Sequence, residues 1–195
     1  MRVPAAFAFA LCTSAALTAQ PRLTQQDAAR FQAKLTRIQA FAAARSAKAQ
    51  STELTDVEVN SYLRYSAGAQ VPVGMTEPTL NALGNGRVAG RAIVDLDAVR
   101  HQKQRGWTDP LGYLSGKVPV TASGTLTTSN GTGQFALESA EISGVTVPKF
   151  VLQELLSYYS RTPETPNGID MDAPFQLPAR IKSITVGNGS ATVIQ

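Results

Sequence analysis

The spacing of apolar residues divides the chain into a helical first part and a strand-rich second part. Up to about residue 65, apolar residues recur every three or four positions, as on one face of a helix. From residue 71 onwards, apolar and polar residues alternate, as in strands with one dry and one wet face. This pattern predicts an α+β fold in which N-terminal helices precede an antiparallel sheet.

The first predicted helix covers residues 24–48, with Thr24 as its N-cap. The polar residues Arg30, Lys34 and Arg37 lie away from the centre of its apolar face. We interpret it as an amphipathic helix that lies on the domain; the alternative is a basic helix that touches an anionic membrane. The predicted apolar stripe consists of Ala28, Phe31, Leu35, Ile38 and Ala42.

A second, shorter helix is predicted by the sequence that follows residue 52. Thr55 and Glu58 have the spacing of a capping box, and Leu54 and Val59 have the spacing of a hydrophobic staple. We expect this helix to end near Tyr65. Capping and solvation account for its polar residues, so none of them is assigned a functional role.

Three hairpins are predicted in the strand-rich part. Their turns are expected at residues 84–86, 130–131 and 188–189, where Asn-Gly pairs supply the positive backbone angles of tight turns. Together they predict a curved antiparallel meander of about five to seven strands, with the helices packed on one face.

The helix expected after Pro148 carries an unusually wide apolar face. Its apolar side chains span an arc of roughly 160°, compared with about 100° for an ordinary surface helix. The helix therefore either lies deep against the sheet or shares its apolar face with a lipid-like ligand. The candidate ligand-binding residues on it are Val151, Leu152, Leu155, Leu156 and Tyr159.

An aromatic turn forms a second candidate binding region. Trp107, Leu111 and Tyr113 directly follow a cluster of basic side chains at residues 100–105. Trp and Tyr favour membrane interfaces, and Lys and Arg favour anionic headgroups. The turn is interpreted as the mouth of a lipid site or a membrane-docking loop, or alternatively as a plug at the end of the sheet.

The first nineteen residues have the pattern of a secretory signal peptide, with Arg2 followed by a short uncharged apolar run. We expect an exported protein, periplasmic or extracellular. Loss of residues 1–19 would reduce the formal net charge from +4 to +3. The remainder divides into an amphipathic helix and linker at residues 20–52 and a single α+β domain at residues 53–195.

The sequence contains no arrangement typical of an active site. His101, the one histidine, has no nucleophile in a suitable motif, and the paired aspartates at residues 95–97 and 170–172 lack the rest of a calcium loop. We expect no enzyme activity, no metal and no other cofactor. The basic residues form one small cluster instead of a stripe, which argues against nucleic-acid binding.

The order of these elements, with the motifs "LTDVEVNSYL" and "GVTVPKFVLQELL", resembles small secreted envelope proteins of the tubular lipid-binding (TULIP-like) group. Within that group it is most similar to secreted proteins with no assigned function. The resemblance covers residues 53–195. It implies a long, strongly curved sheet around a helix, with acyl chains held between them, and it implies no catalytic residues.

Two functions from different classes remain. The first is a non-enzymatic envelope protein that binds a lipid-like apolar ligand, with an anionic membrane as a further peripheral partner. The second is a structural or assembly protein of the envelope that acts through protein contacts and has no ligand cavity. An apolar void of about 300 Å³ or more between helix and sheet would favour the first.

Overall fold

The structure, a computed structural model, describes residues 22–44, 48–101, 115–163 and 165–195, and these ranges form an α+β fold. The predicted signal peptide lies outside the described residues, as do Trp107, Leu111 and Tyr113. The helices are α1 Gln25–Ala43, α2 Asp56–Tyr65, α3 Leu96–His101 and α4 Lys149–Ser160, with a short 3-10 helix at Gly68–Gln70. The strands are β1 Ser51–Thr55, β2 Met75–Gly84, β3 Arg87–Asp95, β4 Lys117–Ser129, β5 Thr132–Ile142, β6 Val145–Thr146, β7 Phe175–Gln176, β8 Ser183–Val186 and β9 Ser190–Ile194.

The larger sheet is an antiparallel meander in the order β2-β3-β4-β5-β6, and β7 pairs with β5. The meander confirms the predicted sheet type, but neither sheet is strongly curled, so the strong curvature expected from the resemblance is wrong. Strong curvature needs bulges or glycine kinks at repeated positions. Register shifts occur in the β2–β3 and β4–β5 pairs, but the β3–β4 pair between them has none from Arg87↔Thr125 to Asp95↔Lys117, so the irregularities do not repeat on every strand.

The turns of the first two hairpins confirm their prediction. Asn85 and Gly86 have φ values of 54° and 80°, and Asn130 and Gly131 have values of 50° and 84°. Positive φ at both central residues defines the type I′ turn, whose twist matches that of the flanking strands. These two turns fix the registers of β2–β3 and β4–β5.

The third hairpin lies in a second, three-stranded sheet in the order β1-β9-β8, and not in the meander. β1 begins at Ser51, inside the segment expected to be a linker. The Gln50 and Gln195 backbones hydrogen-bond each other in both directions, at 3.3 and 2.9 Å. The buried Gln195 amide also donates to the carbonyls of Ile38 and Ala179. The pairing of β1 with β9 therefore brings together residues that are far apart in the sequence.

Two clusters of buried apolar residues join α1 to α2 and to the small sheet. The rings of Phe31 and Tyr62 lie 5.0 Å apart, and Ala28 and Ala67 complete this cluster. The apolar stripe of α1 therefore packs on the protein, as the first of its two interpretations predicts. A second cluster connects α1 with the C-terminal segment and consists of Ile38, Leu177, Ile181 and Val193.

The capping box at the start of α2 is present as predicted. The Thr55 hydroxyl accepts a hydrogen bond from the Glu58 backbone N–H at 3.3 Å, and the Glu58 carboxylate accepts from the Thr55 N–H at 3.0 Å. Lys34 on α1 donates to the same carboxylate at 2.7 Å. The cap therefore orders the first turn of α2 and also ties α2 to α1.

Removal of the Thr55 cap should destabilise the protein modestly. We expect Thr55→Ala to lower the free energy of unfolding in urea by about 0.5–2 kcal/mol, because a helix N-terminal N–H loses its acceptor. Thr36→Ala, on the exposed side of α1, is the matched control and should cause no loss, since alanine favours helix more than threonine does. Equal unfolding energies for the two variants would contradict the assigned role of Thr55.

Glu58 should make the protein less stable in acid. Burial raises the pKa of Glu58, but hydrogen bonds from Lys34 and the Thr55 backbone outweigh this, and the pKa lies below its ordinary value of 4.5. A lowered pKa contributes stability above the unfolded-state value, and this is lost as pH falls through the folded-state value. We expect the difference in unfolding free energy between wild type and Glu58→Gln to shrink below about pH 4.5. A difference that is constant from pH 7 to pH 3 would contradict this.

Candidate ligand-binding groove

An apolar groove lies between α2 and the dry face of the larger sheet. Its volume is about 410 Å³. Val59 and Leu63 of α2 form one wall, and Met75 and Leu80 of β2 lie beside them. Apart from Thr79 and Arg91, the side chains that line the groove are apolar. A hydrocarbon ligand in the groove would therefore contact almost only apolar groups.

The floor of the groove is hollow because its residues are small. In the antiparallel ladder Gly90 pairs with Ala122 and Ala92 pairs with Val120, and directly paired residues project to the same face of a sheet. Glycine and alanine leave space where larger side chains would reach α2. The hollow therefore follows from the small residues at three neighbouring ladder positions, Gly90, Ala92 and Ala122, and not from curvature of the sheet.

Two polar side chains of α2 fix the helix to the outer edge of β2. The Asn60 amide donates to the Leu80 carbonyl at 2.8 Å and its oxygen accepts from the Leu80 N–H at 2.7 Å. One turn earlier, the Asp56 carboxylate accepts from the Ala82 N–H at 3.0 Å. Burial raises the pKa of Asp56, and the Ala82 N–H partly offsets this. These contacts set the width of the groove, a role that the sequence interpretation did not give to any polar residue of α2.

A second, polar cavity of about 520 Å³ adjoins the apolar groove. The two share Leu63, Pro78, Thr79 and Arg91, and the polar cavity is further lined by Arg64 and Glu77, among others. A register shift in β2 between Thr76 and Thr79 interrupts the ladder here, and Glu77 has a φ of 51°. The bulge therefore places charged residues next to the end of an apolar groove.

A third cavity, of about 640 Å³, lies between the β2–β3 turn, β4 and β8. Turn backbone and threonine side chains make up much of its lining, at residues 83–86, 125–128 and 184–188. It lacks the continuous apolar surface of the first groove, and we do not regard it as a ligand site.

The predicted site residues on α4 do not line any of these three cavities. All five are half-buried, and no residue of α4 is buried, so the interpretation of a helix lying deep against the sheet is wrong. Among the described residues, α4 makes polar contacts with the segment that follows it, such as the hydrogen bond from the Met171 N–H to the Gln153 side chain at 2.8 Å. Ligand binding by α4 stays a prediction; the residues in question are Val151, Leu152, Leu155, Leu156 and Tyr159.

The residues that form the groove were visible in the sequence as the dry side of predicted strands. The signal that could have identified them is the run of small residues at Gly90, Ala92 and Ala122, which we interpreted only as alternation. The sequence pattern did not identify α2 as the second wall, because capping and solvation already account for its polar residues there.

Among the described residues, no helix is long and apolar enough to cross a bilayer. In the same ranges, no three side chains of the metal-binding types come together. Comparison of the sequence with models of known protein families and with curated proteins returned no match.

Proposed function

We propose that this protein is a non-enzymatic, exported binding protein for a lipid-like apolar ligand, and that the ligand lies in the groove between α2 and the larger sheet. The observation that carries the proposal is the hollow apolar floor beneath α2. Its volume of about 410 Å³ falls within the range of about 300–1,000 Å³ typical of ligand pockets. Contiguous exposed apolar surface is typical of interaction sites, which supports the proposal.

Chain-length dependence tests this proposal directly. Each buried methylene contributes about 0.8 kcal/mol, which corresponds to roughly a fourfold change in Kd. We expect the affinity for a series of 1-alkanols to rise by about that factor per carbon and to level off once the groove is filled. Isothermal titration calorimetry should show the accompanying negative heat-capacity change of apolar burial.

A substitution that fills the groove should abolish this binding. Ala122→Phe places a ring in the hollow floor, so we expect at least a tenfold loss of alkanol affinity while the protein stays folded. Ala136→Phe, on an exposed position of β5, is the matched control and should bind normally. If both variants bind as the wild type does, the ligand does not lie in this groove.

The structural or assembly function remains a second candidate because α4 exposes apolar surface. Phe150 and the preceding Val145 are each 68% exposed, next to the half-buried apolar residues of α4. Such a surface would suit contact with another envelope protein. This alternative predicts no alkanol binding by the wild type and a strong loss of stability in Ala122→Phe, because the ring would then overpack a closed core.

A further inference from the structure

Two arginines line the polar cavity that adjoins the groove. Arg64 and Arg91 both line it, and neither forms an ion pair within the described part of the chain. The guanidinium of Arg64 instead lies 5.7 Å from the ring centre of Tyr65. By contrast, Lys34 and Arg87 pair with glutamates.

The arginines leave this cavity with an excess of positive charge. Glu77 is the acidic side chain among the described residues that line it, so the three charged groups sum to one net positive charge. Guanidinium groups bind carboxylates through two parallel hydrogen bonds. The charged end of the groove is therefore complementary to an anion, while its floor is complementary to a hydrocarbon chain.

We propose that the ligand is a single-chain anionic amphiphile of the fatty-acid type, with its tail in the groove and its carboxylate at Arg64 and Arg91. This inference rests on the proposed function of the groove. A single chain is favoured because a volume of about 410 Å³ lies at the lower end of the range for ligand pockets. Arg91 lines both the groove and the polar cavity, so one ligand can reach both.

Three probes with the same twelve-carbon chain separate the contribution of the headgroup to the affinity from that of the hydrocarbon chain. They are dodecanoate, dodecanol and dodecyltrimethylammonium. We expect the wild type to bind dodecanoate most tightly and the cationic probe most weakly. Arg64→Gln and Arg91→Gln should each weaken dodecanoate binding about two- to fivefold, as for exposed ion pairs, and leave dodecanol binding unchanged. The preference for dodecanoate should decrease as salt is added.

Arg161→Gln is the matched control, since it removes the same charge at the end of α4 and should change none of the three affinities. If dodecanoate and dodecanol bind equally and neither groove arginine matters, the anionic ligand is refuted while the apolar groove stands. If the cationic probe binds as tightly as dodecanoate, the anionic ligand is likewise refuted. If none of the probes binds the folded wild type, the proposed function itself fails.

Discussion

Phe31→Ala is expected to lower the free energy of unfolding by about 3–5 kcal/mol, the usual cost of removing a buried aromatic ring. Phe31 is 8% exposed and packs against Tyr62, with Ala28 and Ala67 around it. Its loss would leave a void between α1 and α2, because the neighbouring side chains of Ala28 and Ala67 are too small to fill it. Urea unfolding followed by circular dichroism measures the change.

Phe150→Ala is the matched control for this substitution. Phe150 also lies in a helix, but it is 68% exposed, so its removal should change the unfolding free energy by no more than about 0.5 kcal/mol. A large loss of stability in both variants would show that α4 is packed against a part of the protein that contributes to the fold. A small loss in both would contradict the assignment of the core to the α1–α2 contact.

Asn60→Leu should cost about 2–4 kcal/mol although the two side chains are similar in size. The substitution removes both hydrogen bonds to the Leu80 backbone and leaves its N–H and C=O without their partner. A fully buried group left unpaired costs about 1–3 kcal/mol, and these two part-buried groups lie in the lower part of that range. The variant should also bind alkanols more weakly, because α2 is no longer fixed at the edge of β2.

Asn81→Leu, at an exposed position next to Leu80, provides the control for Asn60→Leu and should be nearly neutral. Asn60→Ser shortens the side chain and should not restore stability, since its hydroxyl cannot reproduce the paired contact. An unchanged unfolding free energy in Asn60→Leu would mean that water replaces the amide at the edge of β2.

The elements that sequence predicted correctly are those specified by neighbouring residues. The caps of α1 and α2 depend on contacts three residues apart, Thr24 with Asp27 and Thr55 with Glu58. The type I′ turns depend on two adjacent residues. Such local interactions are contained in a short window of sequence, and a prediction needs no knowledge of the rest of the fold.

The features that sequence missed depend on contacts between distant segments. Alternation indicates that residues 180–195 form a hairpin, but it does not show that β9 also pairs with β1 and that this sheet is separate from the meander. The width of an apolar face did not show whether the sheet reaches it, as α4 demonstrates. Likewise, the groove is formed by small residues of β3 and β4 together with α2, which Asp56 and Asn60 hold against β2. No single segment of the sequence contains all of these residues.

The closure of the small sheet has a consequence for the order of folding. Gln50 and Gln195 meet across a separation of 145 positions, so their contact carries a large loop-closure entropy. The β4–β5 hairpin, with its two-residue turn, carries almost none. Contacts of high sequence separation form slowly, and we expect pulse-labelled hydrogen exchange to protect the amides of β4 and β5 before those of β1 and β9. We further expect the cluster that contains Ile38 and Val193 to form last, because its contact between α1 and β9 also has a high sequence separation.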